Sequence, residues 1–330
     1  MEKILITGAS GFIGSFIVEE ALKRGLDTWA AVRQSSSRRY LQDERIHFIE
    51  LDFSSQERLT EQLREHRFDY IVHAAGVTKC LDKQDFFRMN TEGTKNLIRA
   101  VMVLQMPLKR FVFLSSLSIF GAIHEQEPYE EICETDTPQP NTAYGESKLL
   151  AEQFLQTTSL PYVILRPTGV YGPRERDYFL MAKSIKGHTD FAAGFKRQVI
   201  TFVYVSDVVQ AVFLALERDV VGRAFFLSDG DEYLSTAFSD LIIKELGNPW
   251  CLRLKAPIWV LRLVTFCGEY ISRLTGKITA LNNDKYHILR QRNWKCDITP
   301  ARRELGYEPL VQLPEGVSKT IQWYKENKWL

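Results

Sequence analysis

The chain has 330 residues, a formal net charge of +1, a hydrophobic fraction of 45% and a charged fraction of 25%. That is the composition of a soluble globular protein, long enough for one large domain or a domain with a smaller companion, and it carries no electrostatic sign of a nucleic-acid or acidic partner. Five cysteines (Cys80, Cys133, Cys251, Cys267 and Cys296) are scattered without a Cys-x-x-Cys pair, so reduced thiols are expected rather than a disulfide framework or a metal site. With a strand beginning almost at Met1, no signal peptide is expected. No apolar run reaches the ~18 residues of a spanning helix, and the expected location is cytoplasmic.

Ile4, Leu5 and Ile6 form an apolar run of strand type, Gly8, Gly11 and Gly14 follow at intervals of three, and Phe12 to Leu22 reads as a helix. A strand, a glycine turn and a helix N-terminus together present backbone N–H groups and the positive end of a dipole, which suits a diphosphate. Glycine is required because the chain turns tightly and both phosphate and sheet approach its backbone. Ser10, Phe12 and Ile13 share this turn and are candidate cofactor contacts with the three glycines. Gly25 suits the helix C-cap.

Thr28 to Val32 reads as the second strand. At its end, about 19 residues beyond Gly14, a dinucleotide-binding unit usually carries an acid against the ribose 2′-hydroxyl. Here Arg33 stands instead, followed by Ser35, Ser36, Ser37, Arg38 and Arg39. Guanidinium and hydroxyl groups bind a 2′-phosphate that a carboxylate repels. Arg33, Ser36 and Arg38 therefore favour NADP(H), with NAD(H) as the alternative, although a solvated basic loop has the same composition.

Ile46 to Leu51 reads as the third strand, ending at Asp52-Phe53, and Ser54-x-x-Glu57 forms a capping box for a helix to about Glu65. Asp52 is either a hydrogen-bond acceptor for an adenine amine or a loop residue. Tyr70 to His73 is the fourth strand, and Ala74, Ala75 and Gly76 after it are small enough for a dinucleotide to lie against the backbone. His73 reads as a packed strand histidine. A long helix is expected from about residue 82 to 105, with Asn90 inside it as a buried polar tie to a neighbouring loop. Arg110 to Leu114 is the fifth strand, running into Ser115-Ser116-Leu117-Ser118. Pro138 and Pro140 exclude a helix before Asn141 or Thr142, either of which can cap the next one. Tyr162 to Arg166 is the sixth strand, followed by Pro167-Thr168-Gly169-Val170-Tyr171-Gly172-Pro173.

Strands alternating with helices at this spacing imply an α/β, doubly wound parallel sheet of Rossmann type. In such a sheet the glycine turn, Arg33, Asp52, Ala74 to Gly76, Ser116 and Pro167 to Val170 all lie on the carboxyl edge, where these sheets bind ligands. Phe202 to Val205, a helix from Asp207 to Glu217, and Ala224 to Leu227 still read as part of this layer. The expected division is a nucleotide-binding domain of residues 1–173 and 199–228 and a smaller discontinuous substrate lobe of 174–198 and 229–330. Within the lobe, Thr299-Pro300 starts a helix and Gly306 stops it.

Tyr144 and Lys148 are four residues apart on the helix after the fifth strand and share a face. An ammonium beside a phenol favours phenolate and lowers its pKa from about 10. Such a tyrosine can exchange a proton with a carbinol or ketone oxygen, and Ser116 can hold the same oxygen. The pair alone is a weak signal; behind a dinucleotide turn and a serine-ended fifth strand it becomes strong.

The motifs Thr7-Gly8-x-x-Gly11-x-x-Gly14, His73-Ala74-Ala75-Gly76, Asn90-x-x-Gly93-Thr94, Ser115-Ser116, Tyr144-x-x-x-Lys148 and Arg166-Pro167 followed by Val170-Tyr171-Gly172-Pro173 resemble those of the extended short-chain dehydrogenase/reductases. This group is often called the NAD-dependent epimerase/dehydratase family. Ala301-x-x-x-Leu305-Gly306-Tyr307-x-Pro309 fits as well, so the resemblance covers nearly the whole chain. It implies that Tyr144 is the acid/base, that Lys148 also binds the nicotinamide ribose, and that Ser116, or alternatively Ser118, positions the substrate oxygen. It also implies a homodimer through the helices near 82–105 and 142–157.

The chain departs from the nucleotide-sugar members of that family. Gly169 replaces their usual asparagine, Ile200 an arginine, Arg292-Asn293-Trp294-Lys295 a late Arg-x-Gly-Asp, and Leu117-Ser118 the Asp-Glu pair of dehydratases. Diphosphate contacts are charge-assisted bonds worth about 1.5–3 kcal/mol each, so their loss argues against a nucleotide-sugar substrate. Residues 252–274 offer apolar side chains such as Trp259, Leu263, Phe266 and Ile271 beside Arg253, Lys255, Arg262, Arg273 and Lys277. This reads as a helix that covers an apolar substrate, lies on a membrane surface, or faces the core of the small lobe; the stretch resembles sterol- and lipid-type dehydrogenases. The expectation is an NAD(P)-dependent oxidoreductase acting on a bulky or apolar alcohol or ketone. The alternatives are a nucleotide-sugar epimerase with tightly held NAD and a catalytically silent cofactor-binding regulator.

Overall fold

A computed structural model describes residues 1–275 and 283–330, with side chains outside 269–282. In chain order the elements are β1 (Lys3–Thr7), α1 (Phe12–Lys23), β2 (Asp27–Ala31), β3 (His47–Ile49), α2 (Gln56–Leu63), β4 (Tyr70–His73), α3 (Lys83–Phe86), a π-helical segment (Phe87–Glu92), α4 (Gly93–Val103) and β5 (Arg110–Leu114). There follow α5 (Ala143–Gln156), β6 (Tyr162–Pro167), β7 (Gly169–Tyr171), α6 (Asp177–Lys186), β8 (Thr189–Ala193), β9 (Val199–Ile200), β10 (Phe202–Tyr204), α7 (Val205–Glu217) and β11 (Arg223–Leu227). The chain ends with β12 (Tyr233–Leu234), α8 (Ala237–Glu245), β13 (Leu252–Ala256), α9 (Ile258–Thr275), α10 (Asn283–Arg290), a further π-helical turn (Ala301–Leu305) and α11 (Leu313–Glu326).

Seven strands form one parallel sheet in the order β11-β6-β5-β4-β1-β2-β3. The order reverses beside β1, the switch point where open α/β sheets bind ligands. The strands read as unbroken apolar runs because helices cover both faces. Ile4 and Ile6 of β1 pack on one face with Ile17, Val18 and Ala21 of α1, while Leu5 packs on the other with Leu59, Leu97 and Val101. A third apolar cluster, built around Tyr171, Phe202, Phe238, Val317 and Tyr324, holds α6, α8 and α11 together.

The parallel α/β architecture is the one expected, and β4 and β5 have the expected bounds. Of the two candidate caps for α5, Thr142 acts, its Oγ1 accepting from Gly145 N at 3.0 Å. Elsewhere the structure corrects the sequence reading. The helix expected over 82–105 is interrupted by the π-helical segment, whose wider turn carries Asn90 and Thr91 against Ser147 of α5. The cap of α2 is Ser55, not Ser54, because Asp52 Oδ1 already takes both the N–H and the hydroxyl of Ser54. Phe202 to Tyr204 is not in the main sheet. The edge of β6 is taken by β11, so β10 pairs with β7 instead. Residues 252–274 are not one helix either: Leu252 to Ala256 alternate as a strand paired with β8, and Pro257 separates them from α9. Among the described residues no helix is long and apolar enough to cross a membrane.

Beneath the sheet end, Arg166 of β6 forks onto Glu152 of α5, with Nη2 to Oε2 at 2.6 Å, and both side chains are buried. Breaking such a pair leaves a bare charge in the interior. Glu152→Ala is expected to lower the unfolding free energy by about 3–5 kcal/mol, read as an earlier urea midpoint; an unchanged midpoint would show that solvent reaches Arg166.

Candidate active site

Gly8 turns the chain at φ +68° directly after β1. A Cβ there would lie 2.7 Å from the backbone of Ala74 and Ala75, and one at Gly14 would lie 2.1 Å from Gly8 O. The turn and the loop after β4 thus form one closed layer of backbone. Gly11 starts α1 with no side-chain cap and no acidic residue in the first turn, so the helix N-terminus faces outward with its dipole uncompensated. This cradle fits the diphosphate of a dinucleotide. Phe12 and Ile13, both half-buried, pack part of their side chains against the surrounding cores.

The layer is tied by a polar chain that the glycine spacing did not announce. Thr7 Oγ1 meets His73 Nδ1 at 2.7 Å and accepts from Ala75 N at 3.1 Å, and His73 Nε2 meets Thr94 Oγ1 at 2.9 Å. His73 is the packed strand histidine expected. Burial, with the charge of Lys148 adding to it, brings its pKa down to about 3. Asn90 also acts as expected: it accepts from Val77 N at 2.8 Å and donates to Val77 O and Ser147 Oγ, each at 3.0 Å.

Arg33, Ser36 and Arg38 lie in the loop after β2, whose last residue Ala31 pairs with Thr7. Arg33 N donates to Ser36 Oγ at 3.1 Å, and the Arg38 guanidinium stacks 4.2 Å from the Phe48 ring centroid. The carboxylate of Asp52 is engaged by Ser54 and by Arg58 Nη1 at 2.6 Å, which holds its pKa low at about 2. Phe53 packs near His73, with the ring centroids 5.8 Å apart. Pro167 ends β6, while Gly169 and Val170 belong to β7, outside the main sheet.

Ser116, Tyr144 and Lys148 meet where β5 ends and α5 begins. Ser116 Oγ accepts from Ser118 N at 3.2 Å and donates to Ser118 Oγ at 3.1 Å, so both candidate serines share one hydrogen-bonded turn. Tyr144 is half-buried with the Phe86 ring at 6.2 Å. Lys148 is buried; Nζ donates to Leu114 O at 2.8 Å and lies 4.8 Å from the Phe113 centroid. A Cβ on Gly76 would stand 3.2 Å from the same Nζ, so glycine there makes room for the ammonium.

The expected depression of the Tyr144 pKa is not found. Burial raises it, and a hydrogen bond with Ser116 offsets this only in part. Burial also lowers Lys148 to about 8, against the opposing charge of Glu152. At Lys148 desolvation is the larger effect, and the Glu152 carboxylate one turn along the helix offsets it only in part. At neutral pH the phenol is protonated.

Two residues far along the chain also shape the site. Asp284 of α10 accepts from Tyr144 N at 3.2 Å and anchors the start of α5 from above. Lys79, just beyond Gly76, forms an ion pair with Asp177 at the start of α6. No periodicity links such positions, so only the folded chain reveals them.

Residues 4–227 match the family model described as the NAD dependent epimerase/dehydratase family. The chain is 25% identical to the sterol-4-alpha-carboxylate 3-dehydrogenase, decarboxylating, of Candida albicans, with 99% of each chain covered. It is 24% identical to the dTDP-glucose 4,6-dehydratase of Neisseria gonorrhoeae, covering 99% of this chain and 96% of that one. Its fold is similar to the Bordetella bronchiseptica enzyme WbmG in complex with NAD (TM-score 0.80, 21% identity, 99% and 95% covered). It is also similar to dTDP-glucose 4,6-dehydratase from Bacillus anthracis in complex with NAD (TM-score 0.78, 20% identity, 99% and 98% covered).

The His73 tie carries a pH dependence. Between about 3 and the ordinary value near 6.5 the unfolded chain binds a proton that the folded chain refuses. Stability is therefore full above about pH 6.5 and falls as the pH falls, by about 1.4 kcal/mol per unit. Urea titrations at pH 7 and pH 5 are expected to differ by about 2 kcal/mol from this group, and His73→Gln is expected to reduce the difference. An equal difference in the variant counts against the assignment.

Proposed function

The chain belongs to the NAD dependent epimerase/dehydratase family, whose extended short-chain members are NAD-dependent enzymes, and on that premise we propose that it is an NADP(H)-linked oxidoreductase interconverting a secondary alcohol and a ketone on a bulky, apolar, lipid- or sterol-like substrate. The observation that carries the substrate reading is at Gly169. A Cβ there would stand 3.0 Å from the Tyr178 hydroxyl and 3.3 Å from Phe202 Cδ1. The asparagine that nucleotide-sugar relatives usually carry at this position would need the Tyr178 hydroxyl and the Phe202 ring to give by a few tenths of an ångström, so the wall beside Gly169 is aromatic and closely packed. The name of the Candida albicans relative, a sterol-4-alpha-carboxylate 3-dehydrogenase, supports this substrate class.

When bound, the dinucleotide supplies a hydride donor or acceptor at its nicotinamide ring. The residues supply the rest. Tyr144 Oη gives its proton to the carbonyl oxygen in reduction, and takes the hydroxyl proton in oxidation. Ser116 Oγ holds that oxygen by a hydrogen bond. The charge on Lys148, one helical turn from Tyr144, offsets negative charge as the phenolate forms. Arg33, with Ser36 and Arg38, selects NADP(H) by pairing with a 2′-phosphate. In the same proposal the protein is a cytoplasmic homodimer joined through α4 and α5, where Met102, Val103 and Leu150 are exposed.

Tyr144→Phe is expected to reduce turnover by at least about 10²-fold while leaving dinucleotide binding nearly intact; full activity in this variant removes the acid/base assignment. In fluorescence titrations NADPH is expected to bind more tightly than NADH, and Arg33→Ala to weaken NADPH selectively. Tighter NADH binding that Arg33→Ala does not change refutes the basic-loop argument. Long-chain ketones are expected to support NADPH oxidation. Inactivity with them, beside conversion of a UDP-sugar by enzyme that co-purifies with NAD, reverses the substrate reading in favour of an epimerase.

A further inference from the structure

The strand pair β8–β13 is amphipathic in the inverse sense to a soluble sheet. Its inward face is charged: Asp190 is only 2% exposed, and Arg253 bonds it through Nε at 2.6 Å while also reaching Ser239 and Asp240 of α8. Its outward face is apolar. The parallel register sets Leu254 beside Phe191 and Leu252 beside Thr189, on the side opposite Asp190 and Arg253. Phe191, Leu252 and Leu254 are all exposed. Antiparallel and edge ribbons in water normally turn their polar face outward, so this arrangement calls for an apolar environment.

The same surface continues past the ribbon. At the end of β8 the Gly194 backbone closes on Ile258, a Cβ there lying 3.1 Å from Ile258 Cδ1, which brings the exposed Phe195 to the start of α9. Along α9, Trp259 (67% exposed), Leu263 and Phe266 (71% exposed) recur at four- and three-residue steps, whereas Leu261 and Thr265 face inward. Trp250, 74% exposed just before β13, extends the patch, its carbonyl accepting from His188 Nδ1 at 2.7 Å. A contiguous exposed surface of this kind marks an interaction site.

Charge decides the partner. Across residues 186–197 and 250–268 the exposed charged side chains are Lys186, Lys196, Arg197 and Arg262, with Lys255 on the Arg253 side of the ribbon, and the acid in these segments, Asp190, is buried. A second copy docked through this face by two-fold symmetry sets these cations against themselves. An anionic surface with an apolar interior complements both features, and tryptophan and phenylalanine are suited to the boundary between headgroups and acyl chains. We propose that the outward face of β8, β13 and the exposed stripe of α9 form a monotopic docking surface for an anionic phospholipid bilayer. The expectation of membrane contact from residues 252–274 thereby becomes a two-segment surface that includes β8. It stands on the exposed surface and is independent of which substrate the enzyme turns over.

The test is vesicle flotation of the full chain. Wild type is expected to float with vesicles of phosphatidylcholine and phosphatidylglycerol at low salt, and to bind phosphatidylcholine alone more weakly. Trp259→Ser with Phe266→Ser is expected to cut partitioning about tenfold or more. Lys196→Glu with Arg262→Glu is expected to abolish the preference for the anionic vesicles while changing the weak neutral binding little. Both double variants change exposed side chains, and an unchanged thermal midpoint checks that they fold. The proposal is overturned if wild type stays unbound with both vesicle types, or if the Trp259/Phe266 variant floats as well as wild type. It is also overturned if gel filtration shows a wild-type dimer that the Trp259/Phe266 variant dissociates, because the face is then an interface between copies.

Discussion

At the centre of the sheet the backbone of Gly8 lies against that of Ala74 and Ala75 with no space for a side chain between them. This close approach fixes how the ends of β1 and β4 meet, and the Thr7–His73–Thr94 hydrogen bonds hold it shut from the buried side. Because β1 and β4 stand beside the point where strand order reverses, the same contact sets the floor of the crevice. The start of α1 is aimed by it, and so is the loop that carries Gly76 over Lys148. A side chain at Gly8 would meet the Ala74 and Ala75 backbone at 2.7 Å and force the ends of β1 and β4 apart.

Around that floor, burial governs the chemistry. Lys148 keeps its ammonium in the interior by giving a hydrogen bond to Leu114 O and by resting on the Phe113 ring. The ion pair of Arg166 and Glu152 lies one further turn along α5. The helix is held from three directions: by Thr142 at its cap, by Asn90 and Thr91 from the π-helical segment, and by Asp284 from α10. The positions of Ser116, Tyr144 and Lys148 are thereby fixed by the fold. Burial keeps the Tyr144 phenol protonated and brings Lys148 closer to its own titration.

The α9–α10 pair connects this chemistry to the surface. Its second helix touches α5 through Asp284, and its first carries the exposed Trp259, Leu263 and Phe266. An apolar exterior face and an anchor of the Tyr144 helix are thus borne by neighbouring helices.

Local pattern and composition by themselves determined the parallel sheet, the bounds of β4 and β5, the glycine turn, and the sharing of one helix face by Tyr144 and Lys148. These follow from short-range rules: apolar runs, glycine spacing, and a period of 3.6 residues. His73 and Asn90 were legible as structural residues because a histidine inside a strand and an asparagine inside an apolar helix need buried partners. Only the tertiary structure decided which partners those were, that Ser55 and not Ser54 caps α2, and that β10 pairs with β7. It alone decided that Asp284 reaches Tyr144 across 140 residues of chain. It also reversed the direction of the Tyr144 pKa, because desolvation depends on everything packed around a group and not on the one charge four residues away. The strand of residues 252–256 was hidden for the same reason: its register with β8, which turns apolar side chains outward and charges inward, exists only once the two segments meet.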